Sequence, residues 1–82
     1  MTRVVIPAVL QDCCEGQTAV EVEATSVAGV LRAVEERFPG FREELGESYA
    51  VSIDGEIFHD PLYEAVSADS ELHFLPALSG GR

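Results

Sequence analysis

The side chains that could do chemistry are few, and none falls into a working arrangement. The two histidines, His59 and His73, the two tyrosines and the dispersed carboxylates show no triad spacing and no metal-ligand motif. They read as structural or solvated groups. Glu35-Glu36 and Glu43-Glu44 are sequence neighbours, and adjacent residues of a helix do not face each other, so neither makes an acid and base pair. Cys13 and Cys14 are adjacent, which rules out an ordinary structural disulfide, and no second pair completes a zinc site. Their neighbours Asp12 and Glu15 would raise a thiol's pKa, against a redox or nucleophilic role. What stands out is the end of the chain, where Leu75-Pro76-Ala77-Leu78 runs into Ser79-Gly80-Gly81-Arg82. The remaining candidate for chemistry belongs to the backbone.

The elements that would position that end can be read from the periodicity. Arg3 to Leu10 (RVVIPAVL) is rich in β-branched residues and reads as a strand, with Pro7 marking an edge, a bulge or the end of regular pairing. In TAVEVEA, Val20 and Val22 alternate with Glu21 and Glu23, a second strand with one wet face, and the turn region at Glu15-Gly16 closes the hairpin. The period then changes. Val27, Val30, Leu31, Val34 and Phe38 form one apolar helical stripe, with Thr25 or Ser26 as N-cap and a stop at Arg37-Phe38 before Pro39. Phe41 to Leu45 is expected to add a short helical turn. Asp54-Gly55 fits the positive φ angles of a two-residue hairpin between Val51-Ile53 and Ile57. Leu62 to Val66 is ambiguous, and Glu71 to Leu75 is the last strand, closed by Pro76.

Strand, strand, helix, hairpin and final strand make an α+β fold, a mixed sheet of four to five strands with one helix across one face. This is the ubiquitin-like β-grasp order. Residues 1–76 form the domain and 77–82 a flexible tail. A single apolar stripe covers only one sheet face, leaving the other to solvent or a partner. Val4 and Ile6 are expected to point inward with Leu72 and Phe74. Val5, Val9 and Leu75, pointing outward, are the candidate docking patch.

Composition narrows the function further. At 82 residues with 46% hydrophobic and 24% charged residues, the chain has the make-up of one globular domain. No apolar run approaches a membrane span and the N-terminus lacks the zones of a secretion signal, which places it in the cytoplasm, off the membrane. A net charge of -10, from 15 acidic and 5 basic residues, argues against nucleic acid. It suits docking on proteins with basic surfaces. All basic residues are arginine and lysine is absent. A chain with an activated C-terminus would gain from having no lysine of its own, and arginine-biased codon usage accounts for the same composition.

The segment LPALSGG after the final strand resembles the C-terminus of the β-grasp sulfur carriers, which include the molybdopterin synthase small subunit, the thiamine sulfur carrier and the carrier of cysteine synthesis. VVIPAVL and EGQTAVEV look most like the last of these. The resemblance implies that the Gly81 carboxylate is adenylated with ATP by a ubiquitin-activating-type enzyme. Sulfide equivalents then displace AMP, leaving a Gly81 thiocarboxylate. A sulfur-accepting biosynthetic enzyme, in the cysteine pathway a pyridoxal-phosphate synthase, would take the sulfur. On this reading the chain is a carrier and not an enzyme, and it binds no cofactor or metal of its own. Extended at about 3.4 Å per residue, 77–81 would reach roughly 17 Å from the body. Gly80 and Gly81, having no Cβ, would pass a narrow channel.

Arg82 departs from the family pattern, because Gly81 is then an amide without a free carboxylate. Three readings stand: a maturation metalloprotease removes Arg82, Arg82 is a remnant of cloning, or the chain is not a carrier. Competing functions are a molybdopterin synthase small subunit, a protein modifier forming isopeptides through Gly81, and a β-grasp interaction domain with no chemistry.

Overall fold

A computed structural model describes residues 1–76. Five strands, β1 (Thr2–Val5), β2 (Ala19–Val22), β3 (Tyr49–Ile53), β4 (Glu56–Phe58) and β5 (Glu71–Pro76), form one sheet in the order β2-β1-β5-β3-β4. Only β1 and β5 run parallel among these neighbours; the other pairs are antiparallel. Two helices, α1 (Val27–Arg37) and α2 (Phe41–Leu45), complete the mixed β-grasp expected from the order of elements.

The first strand is shorter than its apolar run suggested. It ends at Val5, because Pro7 has no N–H to continue the ladder, and the chain turns into a 3-10 segment at Ala8–Leu10 in which the Leu10 N–H donates to the Pro7 carbonyl at 2.9 Å. The turn buries Leu10 and leaves Val9 exposed. A second 3-10 turn at Asp12–Cys14 leads to Glu15 and Gly16, at φ 58° and 77°, and back into β2.

Helix α1 forms on the expected stripe, with Val27, Val30, Leu31 and Val34 buried. All of its first-turn donors find partners. Val27 N–H donates to the Glu64 carbonyl and Ala28 N–H to the Leu62 carbonyl, both at 3.0 Å, while Gly29 N–H donates to Ser26 Oγ at 3.2 Å. This is what Leu62–Val66 does: it forms no strand, and it satisfies backbone groups that the helix start cannot pair internally. Ser26 is thus the N-cap. At the other end α2 begins under the Glu35 carboxylate, which accepts from the backbone N–H groups of Gly40 and Arg42, each at 3.0 Å.

The tight hairpin has Ile53 opposite Glu56, with Asp54 at φ 52° and Gly55 at φ 91°, the two positive angles a type I′ turn requires. Asp54 also joins this turn to β5, accepting from Glu71 N–H through Oδ1 at 2.9 Å and donating its own N–H to the Glu71 carbonyl at 3.0 Å. Between sheet and helices lies one core, in which Phe74 makes edge contacts with Phe41 and Tyr49 at 5.4 and 6.2 Å between ring centroids.

Candidate functional site

Strand β5 carries the root of the C-terminal segment. It lies inside the sheet, between β1 and β3, and ends with Leu75 opposite Ala50 and Pro76 opposite Tyr49. Its start is fixed as firmly, since Arg3 N–H donates to the Ser70 carbonyl at 3.1 Å and the Ser67–Ser70 turn is tied to Thr2 by a 2.7 Å hydrogen bond from the threonine hydroxyl. A strand paired on both sides gives whatever follows Pro76 a rigid point of departure. Ser79, Gly80, Gly81 and Arg82, the residues to which the sequence assigns the chemistry, lie outside the described residues.

On β5 the alternation holds: Leu72 and Phe74 are buried under the helices, and His73 and Leu75 face outward. The cross-strand registers put Ala19, Val5, His73, Ser52 and Ile57 in one row across the outer face, with Leu75 and Ala50 in the next. Val5 is half-buried there and lies diagonally from Leu75. Val9 is not on that strand face; it sits, 66% exposed, in the 3-10 turn. Ile57, 56% exposed, joins the face instead. Sequence reasoning passed over Ile57, although the Asp54-Gly55 turn places it opposite Ser52 and so on the wet side.

The rest of the face is polar. Arg3 Nε stands 3.2 Å from Glu71, which also meets His73 at 3.5 Å. Pairs this exposed contribute about 0–1 kcal/mol, so they orient more than they stabilise. Beside the end of β5, Glu47, Ser48, Tyr49, Ala50, His59 and Leu75 line a shallow cleft of about 460 Å³. Among the described residues that line it, no hydrogen bond pairs a nucleophile with a base.

The cysteine pair sits away from this face. Cys14 is completely buried, and burial, followed by the nearby Cys13 and Glu15, pushes its thiol up to about 12. Cys13 Sγ donates to the Leu10 carbonyl at 3.1 Å and lies 3.9 Å from Cys14 Sγ. Among the described residues no group of three His, Cys, Asp or Glu could hold a metal ion, and no helix is long and apolar enough to cross a membrane.

Comparison with known proteins puts the fold and the tail in one context. The ThiS family profile matches residues 4–81, a stretch that includes both tail glycines and stops before Arg82. Among solved structures, a chain of the Amycolatopsis orientalis BexX/CysO complex is 27% identical with a TM-score of 0.86, the alignment covering 99% of this chain and 100% of that one. Mycobacterium tuberculosis CysO, described as an antigen, is 21% identical with a TM-score of 0.83, over 95% of this chain and 100% of its own. The small archaeal modifier protein 1 of Methanosarcina acetivorans is 21% identical with a TM-score of 0.78, over 98% and 95%. No protein in the curated set shows a significant match.

Proposed function

The chain belongs to the ThiS family, whose members are ubiquitin-like sulfur carriers, and on that premise we propose that it carries sulfur as a thiocarboxylate on Gly81. The observation that carries this reading is the family match itself, which runs through Ser79-Gly80-Gly81 and ends one residue short of Arg82. Cleavage after Gly81, by a maturation protease such as a metalloprotease, frees the carboxylate. A ubiquitin-activating-type enzyme then joins it to the α-phosphate of ATP and releases pyrophosphate. Sulfide, or a persulfide donor with a reductant, displaces AMP and leaves one sulfur in place of one oxygen.

The body supplies position. Strand β5 delivers the tail from a fixed root, and the outer face around Val5, His73, Leu75 and Ile57 docks on the enzymes at either end of the transfer. That a relative was crystallised within a complex named BexX/CysO supports docking with a protein partner. The acceptor is a biosynthetic enzyme, in the cysteine pathway a pyridoxal-phosphate synthase, and the setting is the cytoplasm.

Incubating the 1–81 and 1–82 forms with the activating enzyme from the same genome, ATP and a sulfur donor tests this. Intact-mass spectrometry should show 1–81 alone gaining AMP and then exchanging one oxygen for sulfur. Modification of 1–82 with Arg82 attached, or none of 1–81, refutes the carrier reading. Gly81 recovered in isopeptide linkage to lysines of other proteins would assign a modifier instead.

A further inference from the structure

Among the described residues strand β2 is an edge strand, with β1 on one side and no strand on the other. Ile6 N–H donates to the Thr18 carbonyl at 2.9 Å, and Val4 and Thr2 follow in register with Val20 and Val22. In an antiparallel ladder the hydrogen-bonding direction alternates. Ala19 and Glu21 therefore turn their N–H and C=O groups to the open side. Arg37 bears this out, because its Nη1 reaches from α1 and donates to the Glu21 carbonyl at 3.3 Å, an exposed contact.

Beside this edge, two clefts of about 450 and 370 Å³ share Glu23, Ala33 and Glu36. They form one trough between β2 and α1. Its walls approach closely because one helix position is Gly29, where a Cβ would come within 3.3 Å of Ala24 Cβ. Ala24 and Ala33 keep the side chains that line the trough short. The acidic groups on it are Glu21, Glu23 and Glu36; the basic ones are Arg32 and Arg37, the second engaged with the Glu21 carbonyl.

We propose that the β2 edge and this trough bind an extended, basic segment of a partner protein, which adds as a strand beside β2 and replaces Arg37 at the Glu21 carbonyl. Pairing gives the segment main-chain hydrogen bonds to Ala19 and Glu21. Its basic side chains meet the three glutamates in a chain whose net charge is -10. A second copy of this chain is a poor occupant, since two such edges would oppose glutamates. The site runs along the β2 edge, at the margin of the outer sheet face where Ala19 stands, and does not depend on chemistry at Gly81.

The probe is acetyl-Arg-Val-Arg-Val-Arg-amide, titrated into the ¹⁵N-labelled full chain at physiological salt. Shifts centred on Ala19–Glu23 and the Gly29–Arg37 face, saturating by about 1 mM peptide, are expected, together with slowed exchange of the Glu21 amide. Glu21→Pro removes one outward N–H without touching the β1 ladder and should weaken binding about tenfold or more. Should that variant unfold, Ala33→Arg fills the trough from a helix position and should do the same. The same peptide N-methylated at alternate residues should not bind. No shifts, shifts scattered over the acidic surface, or equal binding of the methylated peptide would overturn the proposal and leave the edge as merely protected by its charges.

Discussion

The two faces of the sheet are built from the same strands and do opposite work. On the inner face Val4, Val51, Leu72 and Phe74 are at most 2% exposed. On the outer face their immediate neighbours Val5, Ser52, His73 and Leu75 remain accessible. Because strand side chains alternate, β5 contributes to the core and to the outer face within five residues. The inner face packs β5 against the helices, and the outer face carries the accessible side chains proposed to dock.

Truncating the inner face should produce the largest effects. Phe74→Ala removes a ring packed on Phe41 and Tyr49 and should cost about 3–5 kcal/mol, read by denaturant unfolding. Leu31→Ala, under α1, should cost about 2–5 kcal/mol. A loss below about 0.5 kcal/mol, no more than an ordinary surface change gives, would mean that the face of α1 had been misassigned. Leu75→Ala and Ile57→Ser, on the outer face, should change stability by no more than about 0.5 kcal/mol while slowing adenylation of the 1–81 form. Should they destabilise as Leu31→Ala does, the division of labour between the faces is wrong.

Smaller effects sharpen the same contrast at the level of protons. Glu35 is held below the usual carboxylate range by the backbone N–H groups of Arg42 and then Gly40, with Arg42's charge a lesser contribution. A lowered folded value means that its contribution is complete above the ordinary value of 4.5 and is lost as pH falls through the folded one. Glu35→Gln should therefore flatten the acid limb of the stability profile, and an unchanged limb would show the cap to be idle. Cys14 has the opposite sign: raised from 9.0 to about 12, it favours the fold fully below the first value and loses that contribution as pH climbs toward the second. At neutral pH iodoacetamide should label Cys13 and spare Cys14 until the chain unfolds.

The sequence carried most of the fold in three places where chemistry and geometry coincide. The stripe from Val27 to Phe38 could only be a helix face, Asp54-Gly55 could only be tolerated in a primed turn, and the alternation in AVEV set β2. Arg3 to Leu10 was only half legible: Pro7 marked an edge, a bulge or the end of pairing, and the apolar run beyond it hid the 3-10 turn at Ala8–Leu10. Hydrophobicity alone does not separate a strand from a buried turn. The roles of Leu62–Val66 and Glu35 were invisible for another reason, because both satisfy backbone donors that exist only once α1 and α2 are in place. Of the outer face, Val5 and Leu75 were legible from alternation, while Ile57 needed the hairpin register. The Gly80-Gly81 tail was legible as a motif, and its chemistry rests on family resemblance rather than on position in the fold.

The proposed thiocarboxylate on Gly81 is tested most directly by fragmentation mass spectrometry of the chain purified from its own cells. The prediction is a chain ending at Gly81 whose C-terminal fragments alone carry sulfur in place of one oxygen. Gly81 found still joined to Arg82 throughout, or added sulfur found at Cys13 with none on Gly81, would contradict it.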